Sequence, residues 1–179
     1  ATETLKATIL KKYPKGLLAM KEKYDEKFDY RDQAAVKKHF TDFLKAFPYT
    51  VERDAYLQRY GQSYDNVYTT MMIFNYMEGK DMAQDPYLDK LSFLGCNTIF
   101  YKLVDVPHLR KDKTDAQLLP FADKLVNRMI ALRQVKPESM SYLSESEWEA
   151  QADQSINGFV AEPYSEILKT TGNTAKALE

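Results

Sequence analysis

The chain has 179 residues, enough for one well-buried core, since a domain of this size buries about 70% of the surface its unfolded chain exposes. Its 44% hydrophobic content is ordinary, while six glycines and seven prolines are too few for a sandwich or barrel of many tight turns. Twenty-five Lys and Arg nearly cancel 26 Asp and Glu, so no global field directs the protein to nucleic acid or an anionic membrane, and the single cysteine, Cys96, excludes an internal disulfide and a cysteine-rich metal cluster.

Apolar residues recur at helical spacing nearly throughout, and turn signals cut them into segments. The first helix is expected from about Thr2, with Leu5 and Ile9 on one side; Pro14 interrupts it and Leu17, Leu18 and Met20 resume the pattern to about Tyr24. After the charged connector DEKFDYRD, Asp32 can cap a helix carrying the stripe Val36, Phe40, Phe43, Leu44 and Phe47. Thr50 can cap a short helix that Gly61 closes, and Ser63 opens another that stops near Gly79. Asp85-Pro86 reads as a cap followed by the proline of a first turn, with the helix extending to about Val104. TDAQ at Thr114 fits a capping box for a long helix through Leu118, Leu125, Met129 and Leu132, and SESE at Ser144 repeats the signal before Trp148. Short pieces are expected around Ile156–Val160 and Tyr164–Lys169, followed by a frayed tail at 171–179.

Two of these helices are apolar nearly all round. On residues 63–78, Tyr64, Val67, Tyr68, Met71, Met72 and Phe74 fill one arc, while Ile73, Tyr76 and Met77 fall on the other side. On residues 87–104, Leu88, Leu91, Ile99 and Leu103 oppose Phe93, Phe100 and Val104, and Gly95 with Ser92 and Thr98 leaves room for a close neighbour. The expected fold is therefore all-α: a single compact helical bundle of about six to eight helices over residues 1–179, around a central antiparallel hairpin of these two helices.

Tyr56, Tyr60, Tyr64 and Tyr68 form a ladder four residues apart. The first two share their arc with Arg53, which would be costly to bury unpaired, so that face is expected to reach solvent. An arginine between tyrosine faces supports cation–π contacts or carboxylate recognition, and Tyr and Arg are favoured at interface hot spots. Arg53, Tyr56 and Tyr60, together with Ile73, Tyr76 and Met77, are the expected partner-binding residues.

The alternative is a ligand pocket read by Tyr68, Met72 and Asn75, the last an amide inside a core arc that needs partners. Cys96 with His39 or His108 lacks the cationic setting of a reactive thiolate. Asp81, Asp85 and Asp89 are spaced by four, but Asp85 is taken by the cap; DEKFDYRD lacks the glycine and terminal glutamate of an EF-hand loop. The acids of SESEWEAQAD are ordinary chemistry for a first helical turn. No catalytic residues, metal ligands or cofactor are expected.

Residues 1–45 carry eleven Lys and Arg against seven Asp and Glu, and residues 138–179 two against eight, so charge separates along the chain. No apolar run approaches the ~20 residues of a membrane span. The chain opens on Ala1 and closes on Leu178-Glu179, a pair of the kind left ahead of a purification tag, so whether a leader or anchor was removed is left open, and an exported or periplasmic location is slightly favoured over the cytoplasm. The expected function is a non-enzymatic protein-binding module, such as an exported adaptor, inhibitor or immunity-type protein. The alternatives are a small-molecule carrier or enzyme with a pocket between the central helices, and a helical scaffold subunit of a larger assembly. The oligomeric state is left open.

Overall fold

The computed structural model describes residues 2–105, 110 and 113–178, and every regular element among them is helical. The chain is all-α. It divides into two units, residues 1–67 and 68–179, with the division falling inside one helix between Val67 and Tyr68.

In the first unit, α1 (Glu3–Lys12) ends ahead of Pro14, whose ring cannot continue a helix, and α2 (Leu17–Tyr24) follows. The charged connector gives way to α3 (Gln33–Ala46), where the Asp32 carboxylate accepts from the Ala34 and Ala35 amides at 2.9 and 3.2 Å. Thr50 caps α4 (Val51–Gln58) by accepting from the Arg53 amide at 3.2 Å. Gly61 then takes the left-handed φ of 70° that a β-carbon would strain, and the chain enters α5 (Tyr64–Met77), with the Ser63 hydroxyl accepting from the Asn66 amide at 3.2 Å. Met20, Phe43, Leu57, Tyr64 and Val67 are buried. Tyr64 donates its hydroxyl to the Phe47 carbonyl at 2.7 Å, which removes the penalty of burying a phenol. His39 is buried too: it stacks on Phe28 at 4.2 Å, with Nε2 3.2 Å from the Tyr24 carbonyl.

In the second unit the helix expected to begin after Asp85-Pro86 does not form there. Asp85 is buried, and its carboxylate accepts from the Tyr87 amide at 2.9 Å and from Asn75 Nδ2 at 2.8 Å. These bonds bend residues 82–90 into two short 3₁₀ turns, Met82–Gln84 and Leu88–Lys90. Ser92 caps the actual helix, α6 (Phe93–Phe100), accepting from the Gly95 amide at 3.2 Å. A π-helical turn, Tyr101–Asp105, extends it. The expected hairpin is corrected accordingly: its second arm is much shorter, and α6 packs principally on α7 (Asp115–Leu132). That helix opens on the expected capping box, in which the Thr114 amide donates to Gln117 Oε1 at 2.9 Å.

The end of the chain also differs from expectation. Ser144 and Glu147 form the second capping box at the start of α8 (Glu145–Ser155), but the short pieces expected after it run on without a break through a π turn, Ile156–Val160, into α9 (Ala161–Thr170). At 100° per residue Val160 would lie about 80° away from Ala152, and the wider winding of the π turn returns it to the buried side. Residues expected to fray fold back instead. The Asn173 amide donates to the Leu168 carbonyl at 2.7 Å behind Gly172, at φ 81°, and Lys176 pairs with Asp123 at 2.8 Å.

Candidate binding face of residues 1–67

The tyrosine ladder splits by burial. Tyr64 and Tyr68 are core residues, while Tyr56 is half-buried and Tyr60 is 53% exposed. Leu57 on the inner side of α4 is fully buried and anchors the helix, so Tyr56 is left on its outer edge, with Tyr60 in the turn that follows. Their ring centroids stand 5.3 Å apart, and Tyr60 donates its hydroxyl to that of Tyr56 at 3.4 Å.

The cation at this pair is not the expected one. Arg53 turns back along the chain, donating to the Pro48 carbonyl at 2.7 Å with its guanidinium 5.8 Å from the Phe47 ring, because a carbonyl ahead of the helix N-terminus lies within its reach. Lys21 of α2 takes its place, with Nζ 4.8 Å from the Tyr60 ring centroid. The same ammonium pairs with Asp25, whose other oxygen accepts from Gln62 Nε2 at 2.9 Å. Partial burial works to raise the Asp25 pKa, but the bonds from Lys21 and Gln62 outweigh it and hold the carboxyl below its ordinary value. The face is thus a linked set, Asp25–Lys21–Tyr60–Tyr56, drawn from α2, α4 and the turn at Gly61. Lys21, Asp25 and Gln62 were not legible as site residues, since nothing in the local sequence relates position 21 to position 60. Arg59, three residues after Tyr56, was within reach of the pattern; it is exposed.

The other expected partner-binding residues lie in the second unit and do not form an exposed apolar patch. Tyr76 is only 4% exposed and donates its hydroxyl to the Arg110 carbonyl at 2.8 Å; Ile73 is half-buried and Met77 is 42% exposed. Tyr76, expected as a partner-binding residue, is instead covered by the chain returning through Arg110.

The residues of the alternative pocket are all buried, with Tyr68 stacked on Tyr87 at 5.5 Å, Met72 fully enclosed and Asn75 engaged by Asp85 and by Lys80 at 2.9 Å. A cleft of about 160 Å³ does occur in this unit, but Tyr76, Gly79, Lys80, Asp81, Lys113 and Gln117 contribute to its lining instead.

Cys96 is buried on α6, His39 is packed as described, and His108 lies outside the described residues. Asp81 and Asp85 are engaged as caps, Asp81 accepting from the Ala83 amide at 3.0 Å. Among the described residues no group of three or more His, Cys, Asp or Glu could hold a metal ion, and no helix is long and apolar enough to cross a membrane. Compared with family models, curated proteins and solved structures, the chain matches none.

Proposed function

We propose that this chain is a non-enzymatic binding module, of the adaptor, inhibitor or immunity type, that recognises another protein through the face centred on Tyr56 and Tyr60. The observation carrying this reading is the large exposed ring of Tyr60, fixed in place by Lys21 at 4.8 Å and by the hydroxyl of Tyr56. A ring already held in one position loses little conformational freedom on docking, and Tyr contributes large contact area with a polar tip. The test compares the wild type with Tyr56→Ala/Tyr60→Ala as immobilised baits for source lysate, after thermal melts have established that both are folded. Proteins retained by the wild type and lost from the variant are expected; retention of the same set by both would remove the face from the reading.

The cleft of residues 68–179 supports small-ligand binding as a second reading. Its volume of about 160 Å³ is close to the ~150 Å³ that accommodates a benzene-sized molecule. Thermal-shift screening with compounds of that size, repeated on Lys113→Ala, tests it; hits that shift both proteins equally would count against this cleft. The scaffold reading gains no support from Ile73, Tyr76 and Met77, since Tyr76 is covered.

A further inference from the structure

We infer that α8 (Glu145–Ser155) is a flap that detaches from α6 about a hinge at Asn157-Gly158 and uncovers Phe93 and Trp148, a device independent of the Tyr56–Tyr60 face.

Three features of the helix that runs unbroken from Glu145 to Thr170 oppose its continuity. Asn157-Gly158, a dipeptide that favours turns, stands exposed inside the π turn Ile156–Val160. Gly158 does not adopt a positive φ, and a β-carbon there would meet no neighbouring atom within 4 Å. Alanine would therefore fit, and it would favour the helix about fivefold over glycine. Pro163 has no N–H to donate to the preceding turn, which is a loss inside a continuous helix and none in the first turn of a helix starting at Ala161. A break at Asn157-Gly158 satisfies all three. Conflict of this kind between local preference and assembled structure is what a two-state element carries.

The two sides of this joint are anchored unequally. α9 keeps Ile167 and Leu168 buried, Thr170 donates to Asp115 at 2.6 Å, and Lys176 in the tail pairs with Asp123 at 2.8 Å. Val160 is buried on the same side of the joint. α8 buries only Trp148 and Ala152, and none of residues 130–147 is buried, so the chain leading into α8 can follow it. Its polar ties are surface pairs of small worth: Lys136 to Glu145 at 2.8 Å, Gln134 to Glu149 at 2.9 Å and Arg133 to Asp153 at 3.8 Å. Trp148 meets Phe93 edge to face, with ring centroids 5.4 Å apart. The indole N–H has no hydrogen-bond partner among the described residues, so its release breaks no hydrogen bond.

Native-state hydrogen exchange followed by NMR tests the flap. Trp148, the single tryptophan, gives one indole resonance. Eleven residues are too few to stay helical once detached, so the indole N–H and the amides of Gln151–Ser155 should share one opening constant. It should exceed that of the Leu125 amide in α7 and the Ile167 amide in α9 at least tenfold, and should hardly change in low urea while theirs rise. Gly158→Ala should slow exchange in α8 about fivefold; nothing meets the added carbon, so this variant should fold, and its melting curve checks that. One constant shared by α8 and α9 would overturn the flap, as would an indole as protected as the Leu125 amide. Exchange in α8 unaltered by Gly158→Ala would overturn the placing of the hinge.

Discussion

Removing the carboxylate of Asp85 should loosen the whole connection between α5 and α6. This side chain is 7% exposed, and its oxygens accept from the Tyr87 amide at 2.9 Å and Asn75 Nδ2 at 2.8 Å, while Asn75 Oδ1 accepts from Lys80 at 2.9 Å. Asp85→Ala leaves the buried Asn75 amide and the part-buried Tyr87 N–H without their acceptor. Hydrogen bonds to a charged partner contribute about 1.5–3 kcal/mol each, and relief of the carboxylate's desolvation offsets part of that, so a net loss of about 2–4 kcal/mol is expected. Urea unfolding followed by the fluorescence of Trp148, the single tryptophan, reports on residues 68–179 directly. Asn75→Ala and the double variant complete a cycle. Two residues in direct contact should show a coupling of about 1.5 kcal/mol, whereas independent sites add to within about 0.5 kcal/mol. Additive losses, or a loss below about 0.5 kcal/mol for Asp85→Ala alone, would refute the assignment of this pair as the organiser of the loop.

Tyr68→Ala, which empties a core position stacked on Tyr87, should cost about 3–5 kcal/mol, while Tyr60→Ala should cost under about 1 kcal/mol because its ring is exposed and its main contact is one cation–π pair. Comparable melting-temperature losses for the two would contradict the division of the tyrosine ladder. Ser92→Ala should destabilise the second unit by about 1 kcal/mol through loss of the α6 cap, and Ser92→Asp should restore most of it; equal losses for both would show that the cap contributes little. Burial holds the His39 imidazole below its ordinary value of about 6.5, against the opposing contact with the Tyr24 carbonyl. Below pH 6.5 the unfolded chain therefore binds a proton that the folded chain still excludes, so this contribution is fully present above about 6.5 and is lost as pH falls toward the lowered folded value. Melts between pH 7.5 and 5 should fall less steeply for His39→Gln than for the wild type, and parallel curves would refute the linkage.

Most of the helix starts and stops were legible in the sequence because they are local. Asp32, Thr50, Thr114 and Ser144 each satisfy amides two or three residues ahead, and Gly61 takes the left-handed backbone that ends its turn, so a short window of sequence contains the whole interaction. The all-α class followed from the same local signals together with the 3.6-residue period of the apolar positions. The start of α6 was misplaced because two caps compete there. Asp85 has the stronger sequence signature, but Asn75, ten residues away, claims its carboxylate, and Ser92 opens the helix. The π turn at Ile156–Val160 was hidden for a similar reason, since it serves the burial of Val160 against other elements.

The candidate face shows the same division most clearly. Sequence alone put Tyr56 and Tyr60 on one side of the chain, since four residues make about one helical turn, and they do lie side by side although α4 ends at Gln58 and Tyr60 sits in the turn after it. Only the tertiary structure decided that Lys21 occupies the ring of Tyr60, that Arg53 turns away to Pro48, and that Tyr76 is covered while Tyr60 is not. Helical periodicity specifies which residues lie on the same side of one element. Which of those sides is covered, and by which charge, depends on segments distant in the chain, whose approach is set by the packing of the whole unit.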